Sequence, residues 1–286
     1  MSYTIVQRGE QRDVLGEGPL WSPRRNSVFW VDILAPALNR LSLSDGKLER
    51  WSMPQKLGWV VERAHATNFI AGFQNGFAEL TLQPFSVRPL LDPEPDLPDN
   101  RMNDCYVDSK GRLWAGTMDV AIERDTGSLY RLDPDLRATR MDSGYRVTNG
   151  PIFSLSQQHL YHNDTGRGVV YRFDVSEEGN LSNKTTFLQF APDWGVPDGM
   201  TLDSEDCLWI AHWGGGRVSR FRPTGQLDRS IALPASQITS CIFAGERLDR
   251  LFVTSAAKDR DDEEFAGSLF EVDPGVRGLP PNYFAG

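Results

Sequence analysis

Internal repetition constrains this chain more than any other feature. Short apolar segments recur as SVFWVDI (27–33), NFIAGF (68–73), RLWAGTM (112–118), HLYHNDT (159–165), CLWIAHW (207–213) and RLFVTSA (250–256). Trp30, Ile70, Trp114, Tyr161, Trp209 and Phe252 occupy matching places in them and are 40, 44, 47, 48 and 43 residues apart. A second series follows each segment: ALNRLSL from 37, GFAELTL from 76, GSLYRLD from 127, GVVYRFDV from 168, GRVSRFRP from 216 and GSLFEVD from 267. These alternate apolar with polar residues, the period of two of half-exposed antiparallel strands. Units of about 45 residues suit the four-stranded blade of a propeller, although WD and kelch signatures are absent. Helical solenoids are excluded by the period. The expectation is all-β: a six-bladed β-propeller of four-stranded antiparallel blades around a central channel, one domain over residues 1–286. Closing the ring requires the chain ends to meet, and TIVQRG near the start is the candidate to complete the last blade.

Composition narrows the function. With 286 residues the length prior is about two domains, but one propeller absorbs it. A net charge of -9 argues against nucleic acid and anionic membranes as partners, since both need a basic face. MSYTIVQRGEQRD lacks the apolar core of a signal peptide, and no run reaches the ~18 to 20 apolar residues that span a bilayer, so a cytoplasmic location is expected. Cys105, Cys207 and Cys241 are odd in number and outside CxxC pairs, which indicates reduced thiols rather than disulfides or thiolate zinc. His65, His159, His162 and His212 form neither HxH nor HExxH, and no GxSxG elbow is present. The acidic run DRDDEE (259–264) reads as a solvated loop.

Four segments combine charged or amide residues with Gly or Pro: LGEGPLW (15–21), RMNDC (101–105), TNGPIF (148–153) and PDGM (197–200). Each falls in a different repeat and leads into a strand of the first series, so a propeller would set them at equivalent corners around its axis. Glu17, Asn149 and Asp198 could converge there as two carboxylates and an amide oxygen, a donor set suited to a hard divalent cation. On spacing alone, E-G-P, N-G-P and P-D-G are equally ordinary turn sequences. Arg101 and Asn103 lie two residues apart and could hold the hydroxyls of a polar ligand, or belong to a surface turn organised by Asp104. Trp194, Trp213 and Tyr145 are either walls for a sugar face or packing between blades.

Taken together, LGEGPLW, the RMND-x-x-x-D-x-x-GRLWAGTM stretch (101–118), NG at 149–150 and PDGM followed by D-x-x-x-CLWIA from 203 closely resemble the SMP-30/gluconolactonase/luciferin-regenerating-enzyme family, in collinear order over roughly residues 13 to 273. The resemblance implies a six-bladed propeller with one divalent metal in the axial channel, hydrolysing lactones. It casts Glu17, Asn149 and Asp198 as metal ligands, Asp198 also as general base, and Arg101 and Asn103 as the sugar-contacting pair. The ion could be Ca, Mn, Mg, Zn or Fe. Cys105 stands where many members have Gly. After GTM the chain reads Asp119-Val-Ala, where animal members place an acidic residue slightly later, so substrate preference does not transfer with the metal site. The 119–126 loop is a candidate lid. The expected function is hydrolysis of an aldonolactone to its aldonic acid. The rival readings are an organophosphate-hydrolysing metal propeller and a non-catalytic calcium-binding or interaction propeller.

Overall fold

The computed structural model describes residues 3–5 and 12–286. In chain order, β1 (Tyr3–Ile5) precedes a first blade of β2 (Gly16–Ser22), β3 (Ser27–Asp32), β4 (Ala37–Ser42) and β5 (Leu48–Ser52). The second comprises β6 (Leu57–Glu62), β7 (Phe69–Phe73), β8 (Gly76–Leu82) and β9 (Phe85–Leu91). The third comprises β10 (Asn100–Val107), β11 (Leu113–Asp119), β12 (Gly127–Leu132) and β13 (Ala138–Tyr145). The fourth holds β14 (Thr148–Phe153), β15 (His159–Asp164), β16 (Val169–Val175) and β17 (Leu181–Gln189). The fifth holds β18 (Val196–Leu202), β19 (Leu208–Trp213), β20 (Arg217–Phe221) and β21 (Leu227–Ala232). The sixth is β22 (Ile238–Ala244), β23 (Arg250–Ser255) and β24 (Phe270–Val272), completed by β1. Every strand pairs antiparallel with its neighbours. The first strands β2, β6, β10, β14, β18 and β22 touch one another in turn, and β22 touches β2, so the blades form a closed six-bladed propeller.

The two repeated series are the second and third strands of each blade. Second strands pack on a neighbouring blade with both faces; β3, β7 and β11 are buried at every residue, and their sequences are accordingly near-continuous apolar runs. Third strands alternate in sequence but are mostly buried, β12 at every residue, whereas fourth strands such as β9 and β17 are largely exposed and carry no apolar signal. The core is distributed between blades, as where Phe29 and Val31 of the first pack with Val60, Phe69 and Ala71 of the second. Asp108 and Asp203 anchor the turns between first and second strands. Each accepts an indole N–H (Trp114 and Trp209, both 2.9 Å) and backbone N–H groups of its own turn. These aspartates are therefore structural parts of the repeated D-to-W pattern.

Both chain ends contribute to closure. β1 pairs with β24, Thr4 facing Glu271, as expected of TIVQRG; its residues 6–9 lie outside the described residues. After β24 the chain crosses the ring at the far ends of the first strands. Gly278 N–H donates to Leu248 O (2.8 Å), Asn282 Nδ2 to Val107 O (2.9 Å), Phe284 N–H to Glu62 O (2.9 Å) and Ala285 N–H to Gly111 O (3.0 Å). Phe284 is fully buried there. A cavity of about 120 Å³ lies on the axis above this segment, bounded below by Leu279 to Asn282 and reaching Asp104 above. Among the described residues no helix is long and apolar enough to cross a membrane.

One irregularity recurs in every blade. The ladder between first and second strands gains one residue on the first strand between Glu17 and Leu20, Leu57 and Trp59, Met102 and Cys105, Asn149 and Ile152, Pro197 and Met200, and Ile238 and Ser240. Such a bulge kinks the strand and re-aims the local side chains. Six bulges at one depth make a collar around the channel, at the end opposite the C-terminal segment.

Candidate active site

All five candidate residues lie at or beside this collar, on the first strands themselves rather than on the loops between strands. Glu17, Arg101, Asn103, Asn149 and Asp198 are buried. Gly18 and Gly150, next to two of them, occupy the left-handed region (φ 51° and 49°) that the bulge needs and that other residues resist. Asn103 links the third blade to the fourth: its Nδ2 donates to Thr148 O (2.6 Å) and to Asn149 Oδ1 (2.9 Å). Arg101 Nη1 donates to Asn103 Oδ1 (2.6 Å) and Met102 O (2.9 Å). Among the described residues, Arg101 Nε and Nη2 meet no protein acceptor.

Three carboxyls share the collar. Glu17 Oε2 accepts from Gly18 N–H (2.8 Å), and the Glu17 and Asp198 carboxyls are close enough to hydrogen-bond to each other when one of them carries a proton. Asp104, read from sequence as a turn residue, is the third. Its Oδ1 accepts from Cys105 N–H (2.7 Å) and its Oδ2 from Gly150 N–H of the next blade (2.6 Å). Burial pushes Glu17 up to about 8; the Asp104 charge adds to this, while Gly18 N–H and Arg101 oppose it. Asp198 is raised well above the usual carboxylate range by burial, then by Glu17 and Asp104. Asp104 rises to about 6 through burial, opposed by its two N–H bonds. Arg101 falls to about 10 because burial outweighs the attraction of Glu17 and Asp198.

Fully ionised, three carboxylates against one guanidinium leave two uncompensated negative charges in a buried site. Uncompensated buried charge is costly, so the cluster must take up protons or a cation. A hard dication fits. The donors are all oxygen, and Asn149 Oδ1 keeps a lone pair beyond the one facing Asn103. Among the described residues, no three His, Cys, Asp or Glu side chains converge tightly enough to form a metal cage by themselves. His162 and His212 are buried and held neutral, burial lowering them to about 3 and about 4.

A model of the SMP-30/Gluconolactonase/LRE-like region matches residues 15–257, most of the chain. The chain belongs to this family. It is 36% identical over 292 residues to the 6-deoxy-6-sulfogluconolactonase of Pseudomonas putida, with 100% of both chains covered. It is 33% identical to the regucalcin of Xenopus laevis over 95% of each. The crystal structure of a calcium-binding protein, regucalcin, from Agrobacterium tumefaciens superposes with a TM-score of 0.91 at 26% identity, covering 98% of this chain and 96% of that one.

The remaining sequence expectations fare unevenly. Tyr145 is fully buried, with its hydroxyl on Asp142, and Trp194 packs against Phe190 and Phe221; packing accounts for both. The 119–126 loop is tied down by Arg124 to Asp119 (2.6 Å) and by Asp125 to Arg146 and Arg167. The acidic run is more than a solvated loop, since Glu263 Oε2 accepts from Ser236 N–H (2.7 Å) and Glu263 O from Arg12 Nη2 (2.7 Å). Sequence reasoning missed Asp104, Asn163 and Thr165. Asn163 sits in an apolar second strand and donates to Asp198 O, and Thr165 follows two residues later. Their partners are 46, 35 and 32 residues away in sequence, so no local pattern exposes them.

Proposed function

We propose that this protein hydrolyses a sugar lactone, an aldonolactone, to the open aldonic acid, with Glu17, Asn149 and Asp198 holding one divalent cation. The carrying observation is the charge imbalance of the collar: three buried carboxyls, one guanidinium and an amide oxygen with a spare lone pair. When bound, the cation supplies Lewis-acid polarisation of the lactone carbonyl. Asp198, as a carboxylate, would take the proton of the attacking water and return it to the departing ring oxygen. Arg101 directs Nε and Nη2 toward the substrate's hydroxyls, while its Nη1 stays on Asn103. Asn103 has both N–H groups committed to Thr148 and Asn149, so its contribution is first to fix Asn149 and Arg101, and a direct sugar contact requires exchange of one of these bonds. The near-complete burial of the cluster keeps bulk water from screening these charges.

The test is proton release from a panel of lactones, including glucono- and 6-deoxy-6-sulfogluconolactone, using chelated protein with Ca²⁺, Mg²⁺, Mn²⁺, Fe²⁺ or Zn²⁺ restored singly. Cation-dependent hydrolysis of at least one aldonolactone is expected. No acceleration over spontaneous hydrolysis with any ion overturns the proposal and leaves a calcium-binding propeller without this catalysis, the reading favoured by the description of the Agrobacterium structure.

A further inference from the structure

Blade four reaches across its neighbour in an unusual way. Asn163, on β15, faces Asn149 in the ladder and is fully buried. Its Nδ2 donates to the main-chain oxygen of Asp198, while its Oδ1 has no partner among the described residues. Thr165, two residues on, accepts from Asn149 Nδ2 (2.8 Å) and donates its hydroxyl to Pro197 O (2.7 Å). Successive carbonyls of a regular strand point in opposite directions. Here Pro197 O and Asp198 O are both captured from blade four, which the bulge following Pro197 permits.

Packing alone does not account for Asn163. A buried amide with an orphaned oxygen is costly, and an apolar side chain of equal volume would avoid that cost. What the amide supplies is a donor at the peptide that carries the Asp198 side chain. Its nitrogen must be the end facing Asp198, because the oxygen would repel the carbonyl there. Thr165 adds a second tie, joining Asn149 through one hydroxyl to the residue preceding Asp198. Two of the three proposed cation ligands are thereby fixed to each other by side chains outside the proposed ligand set.

We propose that Asn163 and Thr165 are positioning residues, a clamp that sets the spacing of Asn149 and Asp198 in the collar. The inference rests on the lactonase reading for its chemistry, but its geometry concerns cation binding directly. Partners that orient ligands in this way are worth about 10- to 100-fold in cation affinity or activity.

The test compares Asn163→Leu and Thr165→Val with Thr165→Ser and the wild-type protein. Calorimetry reads the affinity for Ca²⁺ and for Mn²⁺ alone, lactone turnover reads kcat and KM, and thermal unfolding in chelator reads the fold. Asn163→Leu and Thr165→Val are expected to weaken cation affinity and lower kcat by about 10- to 100-fold with KM little altered. Thr165→Ser, which keeps the hydroxyl, should restore both. Unfolding of Asn163→Leu in chelator should stay close to that of the wild type, because the variant loses the orphaned Asn163 Oδ1 but leaves Asp198 O without its donor. Unchanged cation affinity in Asn163→Leu and Thr165→Val overturns the proposal, even if both melt earlier. If Asn163→Leu fails to fold, the Thr165→Val and Thr165→Ser pair decides. A wild-type protein that binds the cation yet hydrolyses no lactone sinks the functional proposal alone, and the calorimetric comparison still decides this one.

Discussion

Replacing Glu17 by Gln should make the cation-free protein more stable and the cation-loaded protein less so. In the folded protein Glu17 keeps its proton up to about 8, against an ordinary value of 4.5. The unfolded chain releases the same proton near that ordinary value. Between the two values the native state binds more protons than the unfolded state, so stability of the stripped protein is full at low pH and falls as pH rises toward 8. At pH 7 the interval above 4.5 is 2.5 units, which at about 1.4 kcal/mol each amounts to ~3 kcal/mol of lost stability. Gln matches the neutral carboxyl in volume and cannot ionise, so Glu17→Gln removes this loss. Thermal unfolding in chelator should show the variant and wild type melting together near pH 4 and the variant melting roughly 5 to 10 °C higher at pH 7. Adding Ca²⁺ or Mn²⁺ should reverse the order: the wild type gains stability as its ligands deprotonate to bind, increasingly so at higher pH, and the variant gains little. Parallel pH profiles for the two proteins in chelator would refute the reasoning, because Glu17 would then not be the group carrying the proton.

Asp198→Asn should lower kcat for lactone hydrolysis by about 100-fold or more while circular dichroism and melting in chelator show the fold retained. Gly150→Ala should destabilise by about 1 to 3 kcal/mol in urea unfolding, since Gly150 has φ 49° and a Cβ there would lie 2.6 Å from Met200 Cγ. Phe284→Ala should cost about 3 to 5 kcal/mol in the same assay, a core-sized loss from a residue two places before Gly286, because the ring is fully buried beneath blades two and three.

How visible each part was in the sequence follows from its burial. Second strands, enclosed on both faces, spell near-continuous apolar runs such as RLFVTSA, and third strands alternate; together they reveal the repeat and the blade number. Fourth strands are solvated, and first strands are interrupted by a bulge and by polar residues, so neither shows a period. That interruption is what made Glu17, Asn149 and Asp198 conspicuous beside Gly and Pro. Asp104 offered the same letters as any turn aspartate, and its second partner, Gly150 N–H, comes from the adjacent blade. Asn163 was hidden for the opposite reason: it sits inside HLYHNDT, where the strand pattern suggests only packing.

The collar offers one position per blade, and they are used unevenly. Blades one, three, four and five present Glu17, Asn103 with Asp104, Asn149, and Asp198. At the second blade a Cβ on Gly58 would lie 2.7 Å from Met102 O, so no donor side chain can be accommodated there. At the sixth, the Thr239 hydroxyl is committed to Gly16 O (2.6 Å) and Thr254 Oγ1 (2.8 Å). Blades two and six flank blade one. Glu17 therefore stands alone on its side of the axis, facing an unbroken arc of donors from blades three to five. A ligand held by both sides is a strut across the ring. Its grip depends on how far blade one stands from that arc, and blade one borders the blade that the three residues of β1 complete. The blade closed by strand pairing between the two ends of the chain is thus adjacent to the proposed ligand whose flanking blades offer no substitute.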